Sequence, residues 1–168
     1  MRILLIFFTL LVSGCGYHVP GASESWVGGD ARVVYVQLFE NMTAEPYLDN
    51  YMSDALIEEL SRSRVFELTE NVEAADVLIG GTVDNFKSRA FSYSSSDRIT
   101  DYRATMGITV RLLNNGKGQV LWQEKMGRSE FYSAAVNKNL QLEGERLAAR
   151  QVARRLAEDI RAQLLNNF

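Results

Sequence analysis

A chain of 168 residues, 46% hydrophobic and 23% charged, has the make-up of one ordinary folded domain and not of a disordered or multidomain protein. Its single cysteine excludes a disulfide framework, and its single histidine leaves no material for a His/Cys zinc site or a histidine-based nucleophile. The net charge of −3 conceals an asymmetry: residues 31–86 hold 3 basic and 11 acidic side chains, whereas residues 87–128 hold 8 basic and 3 acidic.

The chain opens with Arg2, an apolar run from Ile3 to Leu11 broken only by Thr9, and the small residues Ser13 and Gly14 directly before Cys15. The run falls short of the roughly 20 apolar residues that span a bilayer. It fits the ~7–15-residue core of a secretory signal. Small residues before a cysteine suit an extended backbone in a peptidase cleft, so residues 1–14 read as a lipoprotein signal peptide that is removed. Cys15 then becomes the first residue, carrying a diacylglycerol thioether and an N-acyl chain, enough for stable anchoring. Gly16 follows where aspartate would signal inner-membrane retention, which favours the outer membrane, periplasmic side. Residues 15–30 are rich in turn formers and read as a lipidated N-terminus and linker, leaving 31–168 as a single domain.

Arg32 to Phe39 is dense in β-branched and aromatic residues and predicts a first strand. Pro46 suits the first position of a helix, and Leu48, Tyr51, Met52, Ala55, Leu56 and Leu60 recur at helical spacing, with Glu59 the charged exception in that stripe. Val65 to Leu68 predicts a short edge strand. Val77 to Val83 predicts another that continues towards Tyr93, and its Gly80–Gly81 pair signals close backbone packing or a bulge. Ser94 to Asp97 is a turn. Tyr102 to Leu113 alternates strictly, with Tyr102, Ala104, Met106, Ile108, Val110 and Leu112 on one side and Arg103, Thr105, Thr109 and Arg111 on the other. Asn114 to Gly118 is a tight turn, Val120 to Tyr132 a returning strand, and a second helix starts near Asn137 or Asn139. Its face of Ala149, Val152, Ala153, Leu156, Ile160 and Leu164 continues almost to the C-terminus. The order β-α-β-β-β-α predicts an α/β (α+β) sandwich: a four-stranded, mostly antiparallel sheet covered on one face by two helices. At ~3.3 Å per residue the long hairpin projects past what two helices cover.

No catalytic constellation emerges. Gly116-Lys117-Gly118 lacks the length and the following helix of a phosphate loop, and the carboxylate pairs lie on solvated helix faces. The chain reads as a non-enzyme with no metal and no cofactor. The remaining signal is a basic region, Lys87, Arg89, Arg98, Arg103, Arg111, Lys117, Lys125 and Arg128, interleaved with Phe91, Tyr93, Tyr102 and Trp122. In a periplasmic setting the partner for such a mixture is a phosphorylated glycolipid or cell-wall polymer, not nucleic acid.

Cys15-Gly16-Tyr17-His18 resembles the mature start of the LptE family of lipopolysaccharide-assembly lipoproteins. Leu38-Phe39-Glu40-Asn41-Met42-Thr43-Ala44-Glu45-Pro46 is similar to that family's phenylalanine-x-asparagine-x-threonine segment, and Asp76 to Val83 and Val120-Leu121-Trp122 also match its pattern. The resemblance implies a two-helix, four-stranded sandwich that plugs the LptD β-barrel, helps assemble it, and binds lipopolysaccharide on its way to the cell surface. Carried onto this chain, the lipopolysaccharide-binding candidates are Arg89 and Arg98 at the first hairpin turn, Arg103 on the next strand, and Arg111 and Lys117 at the second turn. The two turns follow strands of opposite direction, which places them at opposite ends of the sheet. A second class stays open, since Ala75 to Val83 also resembles CsgG/TolB-like lipoprotein domains and tethered regulators of cell-wall synthases. The roughly 15-residue linker reaches only about 50 Å and favours a partner in the same membrane.

Overall fold

A computed structural model describes residues 32–166; the predicted signal peptide, the Cys15 lipidation site and the 15–30 linker lie outside the described residues. The elements run β1 (Val33–Val36), β2 (Glu40–Asn41), α1 (Leu48–Ser61), β3 (Glu67–Leu68), a 3-10 turn (Val72–Ala74), β4 (Val77–Tyr93), β5 (Ile99–Asn114), β6 (Val120–Ser133) and α2 (Lys138–Asn166). One six-stranded sheet has the order β3-β1-β4-β5-β6, with β2 beside β4. The α/β sandwich class holds, and the sheet is mostly antiparallel through the long β4–β5–β6 ladders, but it has six strands where four were expected. The strand predicted over Arg32 to Phe39 ends at Val36, and β2 at Glu40–Asn41 is a further short strand beyond the predicted one. Between Val36↔Ile79 and Glu40↔Thr82 the offset to β4 changes by one residue, with the extra residue on the β1–β2 side. That extra residue is a bulge. The N-terminal strands β1, β2 and β3 also pair in parallel, as the crossover through α1 requires.

Helix α1 begins at Leu48 and not at Pro46. Asn41, Thr43 and Glu45 close a hydrogen-bonded loop, with Asn41 Nδ2 donating to the Glu45 carbonyl at 2.7 Å. Tyr47 then turns left-handed at φ 68° before the first helical residue. Ser53, buried in the helix, accepts from the Phe39 amide and donates to the Asp49 carbonyl, which ties α1 to the bulged β1–β2 segment. At the other predicted start, the Asn137 side chain caps α2 by accepting from the Asn139 amide at 2.8 Å.

Both helices lie on one face. The even-numbered residues of β5 from Ala104 to Leu112 are buried beneath them, and so are all six predicted apolar residues of α2. Glu59 is also buried and is neutralised by Arg161 of α2, whose Nε donates to it. Gly81 explains its own identity: a Cβ there would sit 2.0 Å from the Thr109 carbonyl oxygen. Beyond Val83, β4 has no buried residue, although it runs on for another ten residues to Tyr93. Under this distal half the helix-side layer is polar and aromatic. Tyr132 stacks on Tyr102 at 5.4 Å, shares a 2.6 Å hydrogen bond with Ser88, and lies against Gly144 of α2. The serine run in the first turn has a role too, since Ser94 Oγ accepts from the amides of Ser96 and Arg98.

Three outcomes follow from this packing. Gly81→Val is expected to destabilise by about 3 kcal/mol or more, because backbone must move, whereas Gly116→Ala, whose nearest neighbour is the Asn114 side chain at 3.7 Å, is expected to be close to neutral in urea unfolding. Arg161→Met, which leaves the buried Glu59 carboxylate only its longer 3.5 Å contact with the exposed Arg62, is expected to lower stability by roughly 1–2 kcal/mol, against at most ~1 kcal/mol for Arg128→Met at its more exposed pair with Asp159. Burial, then the nearby Glu45 carboxylate, raise the pKa of Glu145 above the ordinary carboxylate value. The folded state thus disfavours its ionised form, and stability falls as pH rises through that raised value. Glu145→Gln is therefore expected to stabilise near about pH 8 and to lose that advantage near about pH 4 in urea midpoints.

Candidate anion-binding face

Among the described residues, the other face of the sheet carries no helix. Its residues are fixed by register: Lys87 lies opposite Thr105, Arg89 opposite Arg103, Arg103 opposite Phe131, and Thr105 opposite Ser129. The odd-numbered residues of β5 point here because the even-numbered ones fill the core. Lys87, Arg89 and Arg103, with Phe91 and Thr105, line a shallow groove of about 330 Å³. The Phe91 and Phe131 rings are 4.6 Å apart, and the Arg103 guanidinium carbon lies 4.3 Å from one ring centre and 4.8 Å from the other.

The five predicted site residues divide as the strand directions required. Arg89 and Arg103 meet on the open face near the first turn, and Arg98 sits in that turn with its Nε donating to Ser96 Oγ at 3.4 Å. Arg111 is eight residues from Arg103, about 26 Å along the strand, where it lines a separate hollow with Gln37, Leu38 and Glu40. Lys117 is in the second turn, its amide bonded to Asn114 Oδ1. Three members of the basic-aromatic region, Tyr102, Trp122 and Arg128, lie on the helix side instead. Phe131 was not among the aromatic residues singled out from sequence; the alternation of β6 against β5 carries that information only once the register is known.

Charge pairing separates the two faces. On the helix side Arg128 grips Asp159 through two hydrogen bonds of 2.6 and 2.7 Å, and Arg155 pairs with Glu130 at 3.0 Å. The Asp159 carboxylate raises the pKa of Arg128 above its ordinary value. On the open face Lys87, Arg89, Arg103 and Arg111 enter no salt bridge among the described residues. Two of the carboxylates there are engaged with hydroxyls. Asp84 accepts from Thr82 and Thr109, and Asp101 accepts from Ser92, which together with Thr100 and Ser133 holds its pKa below the usual value. Guanidinium and ammonium groups with no salt-bridge partner among the described residues are equipped to bind phosphate oxygens. Among the described residues no cluster of three His, Cys, Asp or Glu is placed for a metal, and no helix is long and apolar enough to cross a membrane.

Several solved structures share the fold. A putative lipoprotein from Caulobacter crescentus is 16% identical with a TM-score of 0.54, covering 75% of this chain and 86% of that one. The rare lipoprotein B of Shewanella oneidensis is 11% identical with a TM-score of 0.54, covering 80% and 94%. PelC of Paraburkholderia phytofirmans, crystallised as a dodecamer, is 16% identical with a TM-score of 0.50, covering 81% and 87%. At such identities the likeness establishes the fold alone. No curated protein matches the sequence at a significant level. The family model described as lipopolysaccharide-assembly, LptE, matches residues 31–164, most of the chain, and the protein therefore belongs to the LptE family.

Proposed function

We propose that this protein is an outer-membrane lipoprotein of lipopolysaccharide export, a binding and assembly factor and not an enzyme. Cys15 carries the lipid anchor after residues 1–14 are removed, and the domain faces the periplasm. The domain plugs and helps assemble the LptD barrel, and it binds lipopolysaccharide phosphates through Lys87, Arg89 and Arg103, with Arg98 at the rim. The family match over residues 31–164 carries this reading. The unpaired cations of the open face support its lipid-binding part, because burying a phosphate among them displaces no internal salt bridge. Arg111 and Lys117 form a separate group at the opposite end and are assigned no share in the same site.

The test is a pull-down from detergent-solubilised envelopes with the full-length chain, joined to binding measurements on purified lipopolysaccharide. Recovery of one large outer-membrane barrel is expected; recovery of a cell-wall synthase without a barrel would transfer the protein to the regulator class. Arg89→Glu with Arg103→Glu is expected to weaken lipopolysaccharide binding by roughly tenfold or more, the loss of charge-assisted contacts. Arg111→Glu with Lys117→Glu is expected to stay within about twofold on the same scale. Equal losses in the two pairs would refute the assignment of the site to the first-turn end.

A further inference from the structure

Phe91 and Phe131 are large apolar side chains that the core does not use, being 52% and 49% exposed. Both nevertheless contact a single group, the Arg103 guanidinium, at 4.3 and 4.8 Å. Two separate features of the sheet bring them there. Phe131 is directly opposite Arg103 in the β5–β6 ladder. Phe91 is the unpaired residue of a bulge in β4, between Ala90↔Tyr102 and Ser92↔Asp101, and such bulges re-aim side chains. On its other flank Arg103 faces Arg89, a like charge at a directly opposed position, an arrangement that is unfavourable by itself.

We infer that Phe91 and Phe131 are positioning residues that hold the Arg103 guanidinium against their rings and leave its N–H edge free to take a phosphate-type oxyanion beside Arg89. The inference rests on the lipopolysaccharide-binding reading of the open face and adds what makes one arginine there effective. A guanidinium is planar, so contact through its flat side leaves the in-plane donors unoccupied. An ammonium has no such division between face and edge, and a lysine at 103 would lose the forked geometry while keeping the charge. The rings also hold Arg103 in place beside Arg89 before any anion arrives, which removes an ordering cost from binding.

The experiment uses the full-length chain and purified lipopolysaccharide in a mutant cycle. Phe91→Leu, Phe131→Leu and Arg103→Gln are measured singly and together, with Arg103→Lys and Phe131→Tyr as conservative variants. Each leucine is expected to weaken binding by about threefold to tenfold, and neither is expected to weaken it further once Arg103 is glutamine. Arg103→Lys is expected to behave like Arg103→Gln, and Phe131→Tyr like the unmutated chain. Independently of any lipid, the Arg103 Nε–Hε signal is expected to be ring-current shifted, and the leucine variants are expected to abolish that shift. Leucine variants that weaken binding equally in the Arg103→Gln background would mean that the rings touch the lipid themselves, and would overturn the inference. So would an unshifted Arg103 signal, or full affinity in Arg103→Lys. Failure of the unmutated chain to bind lipopolysaccharide would instead overturn the functional reading on which the inference stands.

Discussion

The structure depends on a mismatch of length: two helices must cover a sheet whose central strands, β4 and β5, are 17 and 16 residues long. The helices cover one face, fully over the proximal half and partly beyond it, and among the described residues they leave the opposite face bare. Everything that distinguishes this domain from a plain two-layer sandwich follows from how that surplus sheet is managed. Near the helices the constraint is steric, and β4 approaches β5 so closely at Gly81 that no side chain fits. Further out the aliphatic core ends, and Tyr102, Tyr132 and Ser88 replace it with stacked rings and hydrogen bonds that a half-covered layer tolerates.

The same geometry sorts the charges. On the helix side arginines are consumed in ion pairs between sheet and helix, Arg128 of β6 with Asp159 of α2 and Arg155 of α2 with Glu130 of β6. Arginines on the bare face have hydroxyl-rich strands and aromatic rings for neighbours. Nothing in the fold's own stability calls for Lys87, Arg89 and Arg103 to gather on two adjacent strands, and like charges at opposed positions act against it.

The likeness to PelC as well as to rare lipoprotein B shows how little the architecture alone says about partners. Family membership rests on the match over residues 31–164. A fold with one helix-free sheet face is a scaffold on which different surfaces can be written by changing alternate residues of three strands.

Much of this was legible in the sequence because it depends on local periodicity. The alternation from Tyr102 to Leu112 announced which residues enter the core, the helical stripe of Leu48 to Leu60 announced α1, and Asn137 announced the start of α2. The pair Gly80–Gly81 signalled a close approach whose partner, Thr109, no local pattern could name. Other features required the tertiary structure. A one-residue bulge separates β1 from an unpredicted β2, and Tyr47 delays α1, because loop hydrogen bonds around Asn41 and Thr43 outweigh the preference of Pro46 for a helix start. The basic region was visible as composition. Its division into ion-paired arginines, a cluster around Arg103 and a remote group at Arg111 and Lys117 was set by strand register and direction. By itself the sequence determined the fold class and the core, since periods of two and 3.6 are properties of neighbouring residues. Only the tertiary structure decided which cations stand together beside Phe91 and Phe131, because opposition across a sheet joins residues that the chain keeps far apart.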